Sequence, residues 1–210
     1  MTPEKITPVK RQDRAARRAN RTREKLLDAA LVAFSEHGVD LTTIEDITER
    51  ADVGKGTLYR HFEDKQAILQ TLIDRAAAHL VERIQNPKVP PATLADVLSH
   101  LFDVHVAFYM QSAQEFLLMF QGPFMLKMKR GLPPDVERSF DRYLAAMEQP
   151  LAGVLPPTDA AKLRRLACAI AGIPFGFLTT AAIGMKPEDL STGIEGLKRA
   201  FLAGAQGLLA

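Results

Sequence analysis

The 210-residue chain has 47% hydrophobic residues, enough for a substantial core, and 27 Lys plus Arg against 25 Asp plus Glu, so net charge alone does not mark a nucleic-acid binder. Its single cysteine, Cys168, excludes an internal disulfide framework or a cysteine metal cluster and fits a reducing cytosol; the residue is expected as a small buried hydrophobe. The five histidines follow no metal-ligand spacing.

The charge is uneven. Residues 1–23 carry Lys5, Lys10, Arg11, Arg14, Arg17, Arg18, Arg21 and Arg23 against Glu4 and Asp13. A nearly non-apolar basic segment cannot bury a core, so 1–21 is expected to be a disordered arm that orders on a polyanion. No apolar run follows these charges, so they do not form a secretory leader, and a cytoplasmic location is expected.

From residue 22 onward apolar residues repeat at three and four, and no stretch alternates like a strand. The first helix is predicted over 22–37, with Leu26, Leu27, Ala30, Leu31 and Phe34 on one face and Gly38 as its stop. Thr42 or Thr43 caps the second, with Glu45 and Asp46 in its first turn and Ile44, Ile47 and Ala51 inward. Asp52, Val53 and Gly54 make a turn. A short helix over 55–62 follows, and Asp64 caps a long one whose inner stripe runs from Ile68 to Ile84. Further helices are predicted at about 92–110, 112–130, 134–153, 158–185 and 188–208, punctuated by Pro87, Pro90, Pro91, Pro133, Pro134, Pro156, Pro157 and Pro187.

Residues 42–65, TTIEDITERADVGKGTLYRHFEDK, place two short helices about a three-residue turn, the pattern of a helix-turn-helix. Val53, Leu58 and Phe62 point inward, which leaves Lys55, Gly56, Thr57, Tyr59, Arg60 and His61 on or near the outer face. Those side chains suit phosphates and base edges.

With Thr22, Arg23, Leu27, Ala29, Ala30, Phe34 and Gly38 before it, and Lys65 after it, this run resembles the TetR family of repressors over about residues 20–75. The resemblance implies an all-α fold of about nine helices. A three-helix DNA-binding domain over 22–66 would precede a helical bundle over 67–210 that binds a ligand and dimerises. It implies that Thr22, Thr42 and Thr43 meet phosphates at helix N-termini. Lys55, Thr57, Tyr59 and His61 match recognition-helix contacts, Lys65 a phosphate contact, and Gly56 a close approach to DNA. Arg60 occupies a variable position and is the candidate base reader. Asp52 stands where glycine is common, in a conformation that Asp tolerates, and Gly54 stands where serine often caps.

In the second half, Phe102, His105, Tyr109, Phe116, Met119, Phe120, Phe124 and Phe175 are candidate lining for a small apolar or amphipathic effector, His105 and Tyr109 being one turn apart. Such a set is more often an ordinary core than a binding site. Gly193, Gly196, Ala200 and Gly204 form a small-residue stripe on the last helix. The preceding helix, uncharged over 166–185, is apolar all round and needs cover on both sides. The two helices are read as a dimer seam, with Ile170 and Phe177, the alternative being a small-residue seam within one chain; a membrane span is not expected, because Ala, Gly and Thr add little to insertion.

The expected function is therefore a homodimeric regulator that binds double-stranded operator DNA and is released by an effector, with no cofactor and no metal. The alternative is a DNA-binding accessory or architectural protein whose second domain binds a protein partner. No nucleophile, base or phosphate-cradling loop can be assigned to an enzyme.

Overall fold

In the computed structural model, residues 8–204 are described, without the side chains of 8–13, 124–126, 128–130 and 187. Within them the chain is all α, in the order α1 (Pro8–Leu41), α2 (Ile44–Arg50), α3 (Lys55–Tyr59), α4 (Lys65–Gln85), α5 (Leu94–Gln111), α6 (Ala113–Arg130), α7 (Pro134–Val154), α8 (Ala160–Gly184) and α9 (Pro187–Gly204). Two compact units divide at Leu72/Ile73, later than the expected 66/67, because Ile68, Leu69 and Leu72 of α4 are buried with the first unit.

The first unit departs from expectation at its start. Helix α1 begins at Pro8 rather than near Thr22, so the described part of the arm is helical. No Gly or Pro stands between residues 9 and 37, and the segment is rich in Ala, Arg and Lys, which are strong helix formers. Gly38 breaks the helix with φ of 77°, where a side chain would be strained. Leu26, Leu27 and Ala30 of α1, with Ile47 and Leu58, are at most 1% exposed and form the core under the helix-turn-helix.

The local chemistry explains the short elements. Thr43 caps α2 in a reciprocal box: its Oγ1 accepts from Asp46 N–H at 3.1 Å, and the Asp46 carboxylate accepts from Thr43 N–H at 2.8 Å. Hydrogen bonds from the Thr43 backbone N–H and then from the Thr43 side chain hold the Asp46 carboxyl below its usual range. Asp52 takes φ of 54° in the turn, the left-handed conformation expected for it. Asp64 accepts from Ala67 N–H at 2.8 Å and starts α4.

In the second unit α5 is the hub, packed against α6, α7, α8 and α9. Its buried residues Leu101, Phe102, Val104, His105 and Phe108 fall on more than one face of the helix, which is why it needs neighbours on several sides. Thr93 caps it with Asp96 in the same reciprocal box found at α2. Pro123 stands inside α6, Pro150 inside α7 and Pro174 inside α8.

Candidate nucleic-acid interface and effector cluster

The outer surface of α3 is built from residues the core does not use. Leu58 is fully buried and fixes the roll of the helix, so Lys55, Tyr59 and Arg60 face solvent, Tyr59 with 56% of its surface exposed. A Cβ at Gly56 would meet nothing within 4 Å, so this surface is open to a close approach. Thr57 and His61 are half-buried. The Arg60 guanidinium donates to Thr57 Oγ1 at 3.0 Å, which orients it along the helix. The Lys55 ammonium donates to the Glu45 carboxylate of α2, and that bond holds the Glu45 carboxyl below its usual range.

Four of the other expected DNA contacts are engaged within the fold. Thr22 lies inside α1, not at a helix N-terminus, and its hydroxyl bonds the Arg18 carbonyl at 3.1 Å. Thr42 is 1% exposed, with Oγ1 at 2.8 Å from the Gly38 carbonyl and 3.1 Å from that of Ala33, so it closes the α1–α2 corner and offers nothing to a phosphate. Lys65 donates to the carbonyls of Thr42 at 2.6 Å and Asp40 at 3.1 Å, stapling α4 to that corner. Arg23 sits over the Phe62 ring at 5.0 Å and donates to Thr71 Oγ1 at 3.4 Å, tying α1 to the end of the helix-turn-helix. Thr43 is exposed but occupied as the α2 cap.

In the second unit an aromatic cluster joins α5, α6, α7 and α8. Phe120 stacks on Phe175 with centroids 4.9 Å apart, and Phe116 lies 4.9 Å from Phe120 and 5.4 Å from Tyr109. At its polar end His105 and Tyr143 are both fully buried. His105 Nδ1 lies 2.6 Å from the Leu101 carbonyl, so it carries the proton and donates; Nε2 then accepts from the Tyr143 hydroxyl at 2.5 Å. Burial pushes the His105 imidazolium down to about 4, against the opposing pull of the Leu101 carbonyl, and raises the Tyr143 phenol well above its usual value. The pair is therefore neutral, and its hydrogen bonds are internally satisfied.

Helix α8 is long and apolar enough to cross a membrane by length and composition, yet only 39% of its most apolar window is buried. Leu166, Ala167, Ile170, Ala171, Pro174, Leu178 and Ala181 face the core. The opposite register, Cys168, Gly172, Gly176, Thr180 and Ile183, is exposed. Cys168 is thus not the buried hydrophobe expected of it, because it lies across the helix from Leu166 and Ile170.

Residues 26–72 match the family model described as bacterial regulatory proteins, tetR family. The match lies within the N-terminal unit, which is similar to the TetR family over those residues. The probable acrEF/envCD operon repressor of Escherichia coli K12 is 39% identical over 54 residues, 26% of this chain and 24% of that protein, so the similarity spans about a quarter of the relative's length. The fold extends further than the sequence similarity. FadR of Bacillus subtilis, crystallised with stearoyl-CoA, superposes with a TM-score of 0.69 at 18% identity, over 86% of this chain and 98% of that one. The TetR-family regulator PfmR of Thermus thermophilus gives 0.60 at 20% identity, over 85% and 95%. The chain has the all-α TetR fold.

The TetR-like domain brings together Lys55, Gly56, Tyr59 and Arg60 as an exposed set and assigns Thr22, Thr42, Lys65 and Arg23 to holding the domain in shape. Of the candidate effector residues, His105, Tyr109, Phe116, Phe120 and Phe175 share one cluster. Phe102 instead stacks on Phe201 of α9 at 5.8 Å, Met119 is fully buried, and the side chain of Phe124 lies outside the described residues. Sequence reasoning missed Tyr143 and Phe140, which complete the cluster from α7, and Glu45, the partner of Lys55. The register of α7 could have shown that Phe140 and Tyr143 share a face, but no local signal pairs Tyr143 with a histidine 38 residues away. Among the dimer candidates, Ile170 is wholly buried in its own chain. A Cβ on Gly193 would come within 2.9 Å of Phe177 and Met185, so that glycine serves α8–α9 packing within the chain. Gly196 and Gly204 have nothing within 4 Å of the same position, and Ala200 is exposed.

Proposed function

We propose that this protein is a homodimeric, cytoplasmic transcription repressor that holds operator DNA through the outer surface of α3. A small apolar or amphipathic effector entering the aromatic cluster would release it. The observation that carries the reading is the exposed Lys55, Tyr59 and Arg60 set on a fully buried Leu58, within a segment that matches the family model. Lys55 and Tyr59 hold phosphates; Arg60 reads a base edge.

The second copy covers what one chain leaves open. Gly172, Gly176 and Thr180 of α8, with Gly196, Ala200 and Gly204 of α9, form small-residue faces on which another helix pair can approach closely. Replacing Gly196 by Leu is expected to convert dimer to monomer or aggregate in sedimentation. An unaltered dimer would move the interface elsewhere.

The cluster around Phe120 and Phe175 suits an effector with a large apolar part, and the His105–Tyr143 pair supplies one neutral hydrogen-bonding point. The similarity in fold to a protein crystallised with stearoyl-CoA is in keeping with an amphipathic ligand. Helix α4 is a single helix that contributes residues to both units and so can carry a change from one to the other. Binding is reciprocal, so operator DNA weakens the effector by the factor by which the effector weakens DNA.

The test is selection of bound sites from a random duplex library by the full-length protein. Enrichment of an inverted repeat with half-sites about one helical turn apart, or a multiple of it, is expected. Recovery of unenriched sequence would overturn the reading. With the selected duplex in hand, calorimetric titration of stearoyl-CoA with and without DNA tests effector coupling. Equal affinities would remove that compound as a regulator.

A further inference from the structure

The strongest feature that the helix-turn-helix does not absorb is the part of α1 that precedes the core. Residues 14–21 are helical and exposed on every side. Between residues 14 and 23 there are five arginines and no acidic residue. Arg14, Arg18, Arg21 and Lys25 follow one another at spacings of four, three and four, and Arg17 lies one turn from Arg14 and Arg21. In an α-helix such positions share one face. All five are exposed. At about 1.5 Å per residue, the stripe from Arg14 to Lys25 is about 16 Å long.

The helix is anchored where it leaves the core. Arg23 lies over Phe62 and bonds Thr71, so the basic stretch starts beside the α3–α4 corner, a few residues from Tyr59, Arg60 and His61. A bare helix of this length is marginal in water, but here it extends one already nucleated by Leu26, Leu27 and Ala30. A rigid row of guanidinium groups complements a polyanion with regularly spaced charges. Duplex DNA presents phosphates about every 3.4 Å along each strand, so 16 Å spans roughly five base pairs.

Resting on the DNA-binding reading above, we propose that Arg14, Arg17, Arg18, Arg21 and Lys25 form a second, sequence-independent DNA site. They hold the phosphate backbone beside the segment read by α3. Arginine suits this role because it contacts phosphate bidentately without needing a base. This site contributes affinity and salt dependence; α3 contributes the sequence.

The test uses the full-length protein and a random-sequence duplex several helical turns long, with Kd measured across a range of NaCl concentrations. The variant combines Arg14→Gln, Arg18→Gln and Arg21→Gln, which keep helix propensity while removing charge. Each lost contact lowers the log–log salt slope by about 0.9, so the triple variant is expected to lose up to about 2.7. The matching Arg→Lys variant is expected to keep the wild-type slope. Lys55→Ala lowers the slope independently, and the triple substitution is expected to lower it further in that background. A triple-variant slope equal to wild type overturns the second site and leaves α3 binding intact. A lysine variant as weak as the glutamine one overturns the charge argument. If vesicles of phosphatidylglycerol bind the wild type and lose the triple variant while the DNA slope stays unchanged, the stripe is a membrane contact and the proposal fails. A wild type that binds no duplex at any salt overturns both this site and the DNA-binding reading.

Discussion

The helix-turn-helix unit and the aromatic cluster of the second unit solve opposite problems. In the first, the useful side chains are those left out of the core: Lys55, Tyr59 and Arg60 are exposed because Leu58 is not. Their placement depends on the roll of one short helix. In the second, the side chains that matter are buried (His105, Phe116, Tyr143) or half-buried (Tyr109, Phe120, Phe140, Phe175), and they come from four helices. The contrast teaches that the two candidate sites respond differently to substitution. A change on α3 alters binding with little effect on the fold, whereas a change in the cluster alters the fold before it alters a ligand.

The largest expected effect lies in the cluster. Phe116 is fully buried and touches Phe108, Tyr109, Phe120 and Phe175. Phe116→Ala is expected to cost about 3–5 kcal/mol in urea unfolding, because the packed neighbours close the cavity only in part. A loss within about 0.5 kcal/mol would mean that the site is loosely packed and already open.

Next is a pH effect confined to the second unit. His105 is held near 4 in the folded chain against 6.5 for the free side chain. A histidine depressed by folding favours the folded state fully above the unfolded value. Stability is therefore lost as pH falls from about 6.5 to about 4, by roughly 3 kcal/mol. Unfolding followed across this window should show a shallower pH dependence in His105→Gln than in the native chain. Parallel curves would mean that the buried imidazole does not titrate in this way.

On the exposed side, Arg60→Ala is expected to cost about 1–3 kcal/mol in affinity for a selected site and to relax preference at one base position, with the melting temperature unchanged. Binding assays over single-base variants of the site decide this, and unchanged preference assigns base reading to another residue. The smallest effect belongs to Glu45. Because its carboxylate holds the Lys55 ammonium, Glu45→Gln should free that charge and tighten DNA binding a few-fold at low salt, with the gain fading as salt rises. Weaker binding by the variant would show that Glu45 instead positions Lys55 for its phosphate.

Much is legible along the chain, and the misses have a common cause. The interior helices, the Gly38 stop, the Asp52 conformation and the Lys55, Tyr59, Arg60 surface follow from short-range rules, because a helix places residues three and four apart on one face. The same rules misplace the start of the first helix: a run of charge reads as disorder, although arginine and alanine propagate a helix that the core has nucleated. The resemblance matches Thr42 and Lys65 to phosphate, but their partners are backbone carbonyls of the α1–α2 corner, visible only once the helices meet.

By itself, then, the sequence determined the succession of helices, the helix-turn-helix and the basic charge at its leading end. These depend on spacing, caps and propensity, which act over a few residues. The tertiary structure alone decided that His105 meets Tyr143, that Phe120 stacks on Phe175, that Phe102 turns away to Phe201, and that Cys168 faces out while Ile170 faces in. The physical reason is that a helical pattern specifies which residues share a face. Only the packing of one helix against another specifies what that face meets.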